Sequence, residues 1–296
     1  MTNTVSSMTG FARVSGEADW GSWAWEAKSV NGRSLDVRVN VPSGFETLER
    51  QVKQAASKAF SRGNLQIGLR IDLSAGKETL VVNSDALNAV VDAFQNASSA
   101  AMDGNALATL MTIKGVVEAG VQSTRDIGAD ESVVRDMAAA GEQLIVDLAL
   151  SRRSEGAAMA DVISGYLDEM EAHRADAAAL AGDQPKLLKA RLEKQIAELE
   201  ADKHVDADRM AAEIALAAAK ADVREELDRL AAHIETGRSL LEGGGAIGRK
   251  LDFLAQEFNR EANTLCSKSV SLDLTNAGLA IKGLVDQFKE QAANVE

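Results

Sequence analysis

One cysteine, Cys266, is all the thiol chemistry that 296 residues carry, so no intrachain disulfide can form and a reducing, cytoplasmic setting is expected. No His or Cys stands at zinc-ligand spacing from it, which leaves Cys266 as a small helix-packing residue. Long apolar runs are missing too: nothing approaches the roughly 18 residues that span a bilayer. The stretch through Val14 has neither the basic nor the apolar region of a secretory signal. A soluble chain with no membrane partner is expected. Aromatics make up only 4% of the residues, which fits alanine-rich helices packed closely together.

Net positive charge is also lacking. The formal charge of −13 excludes a surface that binds nucleic acid everywhere, but its distribution is uneven. Residues 1 to 75 hold 9 basic against 7 acidic residues and residues 237 to 296 hold 7 against 8, so 16 against 30 fall between. The acidic excess belongs to the middle, where a solvated helical face is its plain explanation. Either end is free to present a basic patch.

What is present begins with period-two alternation. Leu35, Val37, Val39 and Val41 alternate with Asp36, Arg38 and Asn40, and Leu65 to Leu73 alternate with Gln66, Gly68, Arg70 and Asp72, so both segments read as half-buried strands. Trp23 and Trp25 share one face of an earlier strand, with Glu26 and Lys28 on the other. Asn31-Gly32 has the chemistry of a hairpin turn into the next strand. Between strands, Phe45, Leu48, Val52 and Ala56 predict a helix over 45–60.

Beyond Gly76 the chain turns alanine-rich, and helices are expected near 84–100, 131–179, 186–201, 206–240, 246–268 and 273–292. Breaks are expected at Gly120 to Ala129, Gly182 to Pro185 and Gly243 to Gly245. The pattern predicts an α+β fold: a β-sheet lobe with a covering helix over 1–120, an acidic long-helix extension over 121–205, and a carboxyl-terminal helical domain over 206–296 that holds the site.

Two helices concentrate the chemistry. At about 100° per residue, Asp222, Glu226, Arg229 and His233 fall within a stripe roughly 60° wide, with Glu225 at its edge. Val223, Leu227, Leu230 and Ile234 form the neighbouring apolar stripe, so the polar one borders the core. On an exposed helix these charges would be ion pairs worth only about 0.2–0.5 kcal/mol each. On the next helix Leu251, Leu254, Phe258 and Leu265 form the buried stripe, flanked by Glu257 and Glu261 one turn apart. Two such carboxylates repel unless a cation or an arginine lies between them, and a hard divalent ion with oxygen ligands is the simplest solution. Arg249, Lys250, Arg260 and Lys268 are available for ion pairs or for phosphates. Asn259 and Asn263, poor helix formers, suggest function over mere solvation. His173 and His204 stand in charged helical surroundings and are expected to face solvent; His233 alone has catalytic neighbours.

Several motifs recur in an ordered set: Ser7-Met8-Thr9-Gly10-Phe11-Ala12-Arg13, Glu26 to Arg33, Arg62-Gly63, Ser154-Glu155-Gly156, Asp222 to Ile234, Gly248 to Thr264 with Ser267-Lys268-Ser269, and Glu290-Gln291 followed by Asn294 and Glu296. In these the chain resembles the YicC-like (YicC/YloC) bacterial endoribonucleases. Lys28 stands where the family pattern leads one to expect arginine, Ala292-Ala293 interrupts a more polar ending, and the acidic middle matches poorly apart from residues 154–156.

The resemblance implies a cytoplasmic endoribonuclease that depends on a divalent metal cation, Mg²⁺ or Mn²⁺, and cuts single-stranded RNA, including small regulatory RNA. It also implies a ring-like homo-oligomer, a hexamer, working among RNA-degradation partners. Glu226, His233, Glu257 and Glu261 are the expected metal-binding or acid–base residues, with Asp222 and Glu225 behind them. Arg229, Arg249, Lys250, Arg260 and Lys268 are the expected phosphate contacts, joined on the amino-terminal lobe by Arg13, Lys28, Asn31 and Arg33. The competing expectation is a non-catalytic, oligomeric RNA-binding adaptor that recruits another nuclease.

Overall fold

In a computed structural model, described over residues 4–74, 79–97, 102–120, 123–198 and 207–296, the chain is α+β. Strands β1 (Gly10–Ala18), β2 (Gly21–Val30) and β3 (Leu35–Asn40) precede helix α1 (Glu46–Ala59) and strand β4 (Gly63–Leu73). A small unit follows: β5 (Thr79–Val82), α2 (Ser84–Ala97), α3 (Gly104–Met111) and β6 (Val117–Gly120), with β5 and β6 paired antiparallel. The rest is helical: α4 (Thr124–Gly128), α5 (Glu131–Ala181), α6 (Gln184–Glu198), α7 (Ala207–Lys220), α8 (Arg224–Gly243), α9 (Gly248–Lys268) and α10 (Leu272–Ala292).

The sheet has the order β1-β2-β4-β3. Trp25, Ala27, Val37, Leu65, Ile67 and Leu69 point to one buried face. Phe45, Leu48, Val52 and Ala56 of the α1 region cover that face with the spacing that predicted the helix. The expected hairpin at Asn31-Gly32 is not formed. β2 pairs with β1 and β4, both antiparallel, while β3 pairs parallel with β4. Parallel strands cannot be joined by a tight turn, and α1 supplies the crossover. The two-residue turn lies instead at Asp19-Trp20, closed by Gly21 at φ 149°. No alternation marked β1 in advance, because it places Phe11 and Arg13 outward and only small Ala12 fully inward.

Helix α5, 51 residues long, spans roughly 77 Å at 1.5 Å per residue. Its first half closes the sheet core through Met137, Leu144 and Leu148, and Trp25 Nε1 donates to the Met137 carbonyl over 3.1 Å. Its second half, through Met159, Ile163, Leu167 and Met170, is the spine against which α8 and α10 pack, and α9 packs on those two helices, so that Leu230, Ile234, Leu251, Phe258, Ile281 and Phe288 share one core. One helix therefore belongs to two cores.

The expected helix over 206–240 is divided. Residue 206 lies outside the described residues, and Ala221 to Val223 separate α7 from α8. Asp222 Oδ1 accepts from the Arg224 backbone N–H at 3.0 Å, a local bond that competes with helix continuation. Gln184 holds the freed Ala221 carbonyl at 2.7 Å. The short helix α4 occupies part of the expected break, started by a Ser123–Asp126 capping box. Residues 98–100 and 199–201, expected as helix ends, lie outside the described residues, as does His204.

Between the two cores sits Arg152. It falls four residues after Leu148 on the buried stripe of α5 and is 1% exposed. Its guanidinium donates to the Ser7 carbonyl at 2.6 Å, the Arg62 carbonyl at 3.3 Å and Glu296 Oε2 at 3.1 Å, and stacks 4.7 Å from the centre of the Phe60 ring. Burial pushes its pKa down, and Glu296 opposes that shift. Backbone bonds complete the seam: Ser7 N to Arg152 O at 2.9 Å, Met8 N to Asn294 O at 2.8 Å, Glu296 N to Ser6 O at 2.9 Å and Gly248 N to Glu296 O at 3.0 Å. A Cβ on Gly156 would lie 2.4 Å from Val5 O and one on Gly248 2.1 Å from Val295 O, so neither site has room for a side chain.

Arg152→Ala is expected to destabilise the fold by about 3–5 kcal/mol, since it strands Glu296 and two carbonyls at a buried seam. Urea denaturation measures it; a loss under about 1 kcal/mol would mean that the seam is incidental.

Candidate active site

Helices α8 and α9 form a hairpin through Gly244 and Gly245, both at positive φ, so the chain reverses where only glycine is free of strain. The predicted apolar stripes are the buried ones: Val223 just before α8 with Leu227, Leu230 and Ile234 on it, and Leu251, Leu254, Phe258 and Leu265 on α9. Burying them fixes the rotation of each helix. That rotation brings His233 over Glu257 and Glu261.

One ligand atom from each of His233, Glu257 and Glu261 lies within 4.8 Å of the others. His233 Nε2 stands 3.9 Å from Glu257 Oε2, and its ring meets Phe258 edge-on with centroids 6.0 Å apart. Nε2 is buried and has no hydrogen-bond partner among the described residues. Glu261 is 2% exposed. Its charge is answered by Arg260, whose Nη2 lies 2.7 Å from both Glu261 Oε1 and Glu257 Oε2, and by Arg229 at 3.5 Å. The hydrogen bond to Glu261 raises the Arg260 pKa, and Glu225 raises that of Arg229. Carboxylates this close require a compensating positive charge. Here two guanidiniums supply it.

Glu226 and Asp222 lie outside this group. Glu226, nearly buried, takes Lys268 Nζ on Oε1 at 2.9 Å, and its Oε2 has no hydrogen-bond partner among the described residues. Lys268 also donates to the Asp222 carbonyl at 3.0 Å, tying the end of α9 to the start of α8. Asp222 precedes α8 instead of sharing its stripe, and its carboxylate is engaged by Arg224, which holds its pKa at about 2.

The remaining expected residues are spread out. Arg249 and Lys250 are exposed in the first turn of α9, roughly 12 Å along the axis from Glu257. Asn263 donates to Asn259, so the two amides satisfy each other on the surface. On the amino-terminal lobe Arg13 is 3.7 Å from Glu26, and Lys28 and Arg33 are exposed. Asn31 donates to the Ala293 carbonyl at the seam. Cys266 packs under Gly278, whose added Cβ would lie 2.6 Å from its sulfur, and burial raises its pKa. His173 is half-buried and does not face solvent fully. Arg152 escaped the sequence reading, although a charge at a buried-stripe position, four after Leu148 and four before Gly156, was a visible signal.

An α+β chain that gathers an imidazole, two carboxylates and two guanidiniums at one helix hairpin has the groups that an enzyme cleaving phosphodiesters uses. The family model described as the endoribonuclease YicC-like N-terminal region matches residues 5–161, and that described as endoribonuclease YicC-like, C-terminal, matches residues 177–296. A probable endoribonuclease YicC of Haemophilus influenzae is 34% identical over 295 residues, covering 99% of this chain and all of that protein. Another of Clostridioides difficile is 27% identical over 296 residues, covering 98% and 99%. The chain belongs to the YicC-like endoribonuclease family. Among the described residues no helix is long and apolar enough to cross a membrane.

Lys268→Met should destabilise the protein by about 3 kcal/mol in urea titrations, because it leaves Glu226 buried without its cation; a neutral result would mean that the Lys268–Glu226 contact is incidental to the fold. Folding lowers the Asp222 pKa, so the stability it contributes is complete above about pH 4 and fades as pH falls towards 2. Asp222→Asn should therefore lower the urea midpoint at about pH 6 but not at about pH 2.

Proposed function

We propose that this chain is a divalent-metal-dependent endoribonuclease that cuts single-stranded RNA at the His233, Glu257 and Glu261 group. The observation that carries the reading is the buried, unpartnered Nε2 of His233 beside two carboxylates. His233, Glu257 and Glu261 would hold the cation through one nitrogen and two carboxylate oxygens, a donor set that suits Mg²⁺ or Mn²⁺. A divalent cation held there would supply Lewis-acid stabilisation of the charge that develops on the scissile phosphate.

The protein's own groups do the rest. Were a cation to answer the carboxylate charge there, Arg260, now on Glu257 and Glu261, and Arg229, now on Glu225 and Glu261, would be available to the phosphate, whose oxygens forked guanidiniums match. Lys268 stays with Glu226 as a brace, and Arg249 and Lys250 extend the positive track along α9. His233 Nε2 has one lone pair, so within one step it either ligates or accepts a proton. Products with 2′,3′-cyclic phosphate ends mark it as the base that takes the 2′-hydroxyl proton, whereas 5′-phosphate ends mark it as a ligand during attack by water.

The resemblance supports small regulatory RNA as substrate, a cytoplasmic location, a homo-oligomer, specifically a hexamer, and RNA-degradation partners. The single cysteine agrees with the location. A second reading, the non-catalytic RNA-binding adaptor, draws on Arg260 bridging both carboxylates as a structural ion-pair network would.

The two readings separate cleanly. Cleavage of an end-labelled single-stranded RNA should stop with chelator and return with Mn²⁺ or Mg²⁺. Glu257→Gln combined with Glu261→Gln should lower the rate at least about 100-fold with unchanged circular dichroism, and should abolish Mn²⁺ binding read by electron paramagnetic resonance. RNA retardation without cleavage under any divalent ion would establish the adaptor instead.

A further inference from the structure

The sheet has a second face that nothing in the described residues covers. α1 and α5 lie on the opposite side, while Phe11, Arg13, Lys28, Gln66, Arg70 and Arg38 are all exposed. Phe11 is 56% exposed, on a face that is mostly polar and charged apart from Val30, 37% exposed, and Ala24. Folding does not require an aromatic there. Strand register sets Phe11 opposite Lys28, Lys28 opposite Gln66, and Gln66 opposite Arg38. One row across all four strands thus reads aromatic, cation, amide, cation. At about 4.8 Å per strand it covers about 14 Å.

The face is electrostatically divided. Lys28 has no ion partner among the described residues, and Arg33 follows at the same end of the sheet. Glu17 and Asp72 lie at the other end, and Glu26 is shared by Arg13 at 3.7 Å and Arg70 at 4.0 Å. Arg38 leans on Asp36 at 3.1 Å, but both are well exposed, so the pair is worth at most about 1 kcal/mol and exchanges readily for a phosphate. Next to the row, Gly68 leaves open space: an added Cβ would meet nothing closer than 3.9 Å.

We infer that the Phe11, Lys28, Gln66 and Arg38 row is a docking platform for single-stranded RNA. Phe11 stacks on a base, Lys28 and Arg38 hold phosphates, and Gln66 contacts a base edge above the gap at Gly68. An aromatic on a four-stranded sheet can stack only bases that are free of a duplex, which selects single strands. Charge favours a polyanion at this end of the sheet, because in a chain of net −13 it presents Lys28 and Arg33 together. A second copy of the chain fits worse, since Phe11 and Val30, the exposed large apolar side chains of this face, are too few for the apolar centre of an interface. The inference rests on the endoribonuclease reading for its ligand, and adds a contact site on a lobe remote in sequence from His233.

The test uses the full chain in chelator, with a fluorescein-labelled oligouridine of about 20 nucleotides followed by anisotropy. Phe11→Ala should raise Kd about tenfold with unchanged mass by light scattering. Lys28→Gln with Arg38→Gln should reduce the slope of log K against log salt by about 1.4, while Arg70→Gln, outside the row, should change Kd less than about twofold. Wild-type affinity in both row variants would overturn the platform, as would a fall in mass on Phe11→Ala with RNA affinity intact, which would make the face a contact between copies. Cleavage with Mn²⁺ is scored separately. If the wild type cuts RNA and the row variants bind normally, only the platform fails; if Phe11→Ala weakens binding but the wild type never cuts, only the nuclease reading fails.

Discussion

A guanidinium buried to 1% exposure is the constraint on which the rest of this molecule depends. Arg152 cannot be desolvated unless its donors are met, and its partners come from three distant places: Ser7 before β1, Phe60 and Arg62 in the loop before β4, and Glu296 after α10. A buried charge gives little net stability when it is well paired but costs several kcal/mol when it is not. It therefore acts less as glue than as a specification. Only the arrangement in which residues 6–8 and 294–296 lie together across α5 satisfies it.

The same logic of compensated charge recurs at the α8–α9 hairpin. Apolar stripes set the helix rotation, and three carboxylates are carried inward as a consequence: Glu226, Glu257 and Glu261. Lys268 answers the first with a single ammonium across the ends of the hairpin. Arg260 answers the other two with one fork, and it does so from an exposed position. Glu226 is thus fixed by a cation that also holds the Asp222 backbone, whereas Glu257 and Glu261 are balanced by Arg260 with help from Arg229, both more exposed than Lys268. Exchangeable compensation is what a ligand site needs, and fixed compensation is what a brace needs.

Much of this was legible in the sequence. Alternation marked β3 and β4, and the 3.6-residue period marked α1 and the buried stripes of α8 and α9, because both signals reflect which residues meet a core. Strand pairing was not legible: Asn31-Gly32 has hairpin chemistry, yet Asn31 is occupied with the Ala293 carbonyl, a contact 262 residues away in the chain. The break at Asp222 was hidden by helix-forming neighbours, since a competing side-chain bond leaves the apolar period almost untouched. Among the site residues, period placed His233, Glu257 and Glu261 on facing stripes. It could not tell that Glu226 would be taken by Lys268, because that depends on where the two helices end.

The seam also changes what the motifs near the chain ends mean. Ser7, Met8, Gly156, Asn31, Asn294 and Glu296 are all accounted for by the fold, since each supplies a bond or a close approach beside Arg152. Their presence in a recognisable pattern is then no argument that they touch RNA. Phe11, Lys28 and Arg33 stand within the same stretches, yet they are exposed and the fold makes no comparable use of them. Subtracting what folding requires from what the motifs contain leaves an aromatic and two cations on one end of an open sheet. That remainder, more than the motif as a whole, is where a function beyond folding should be sought.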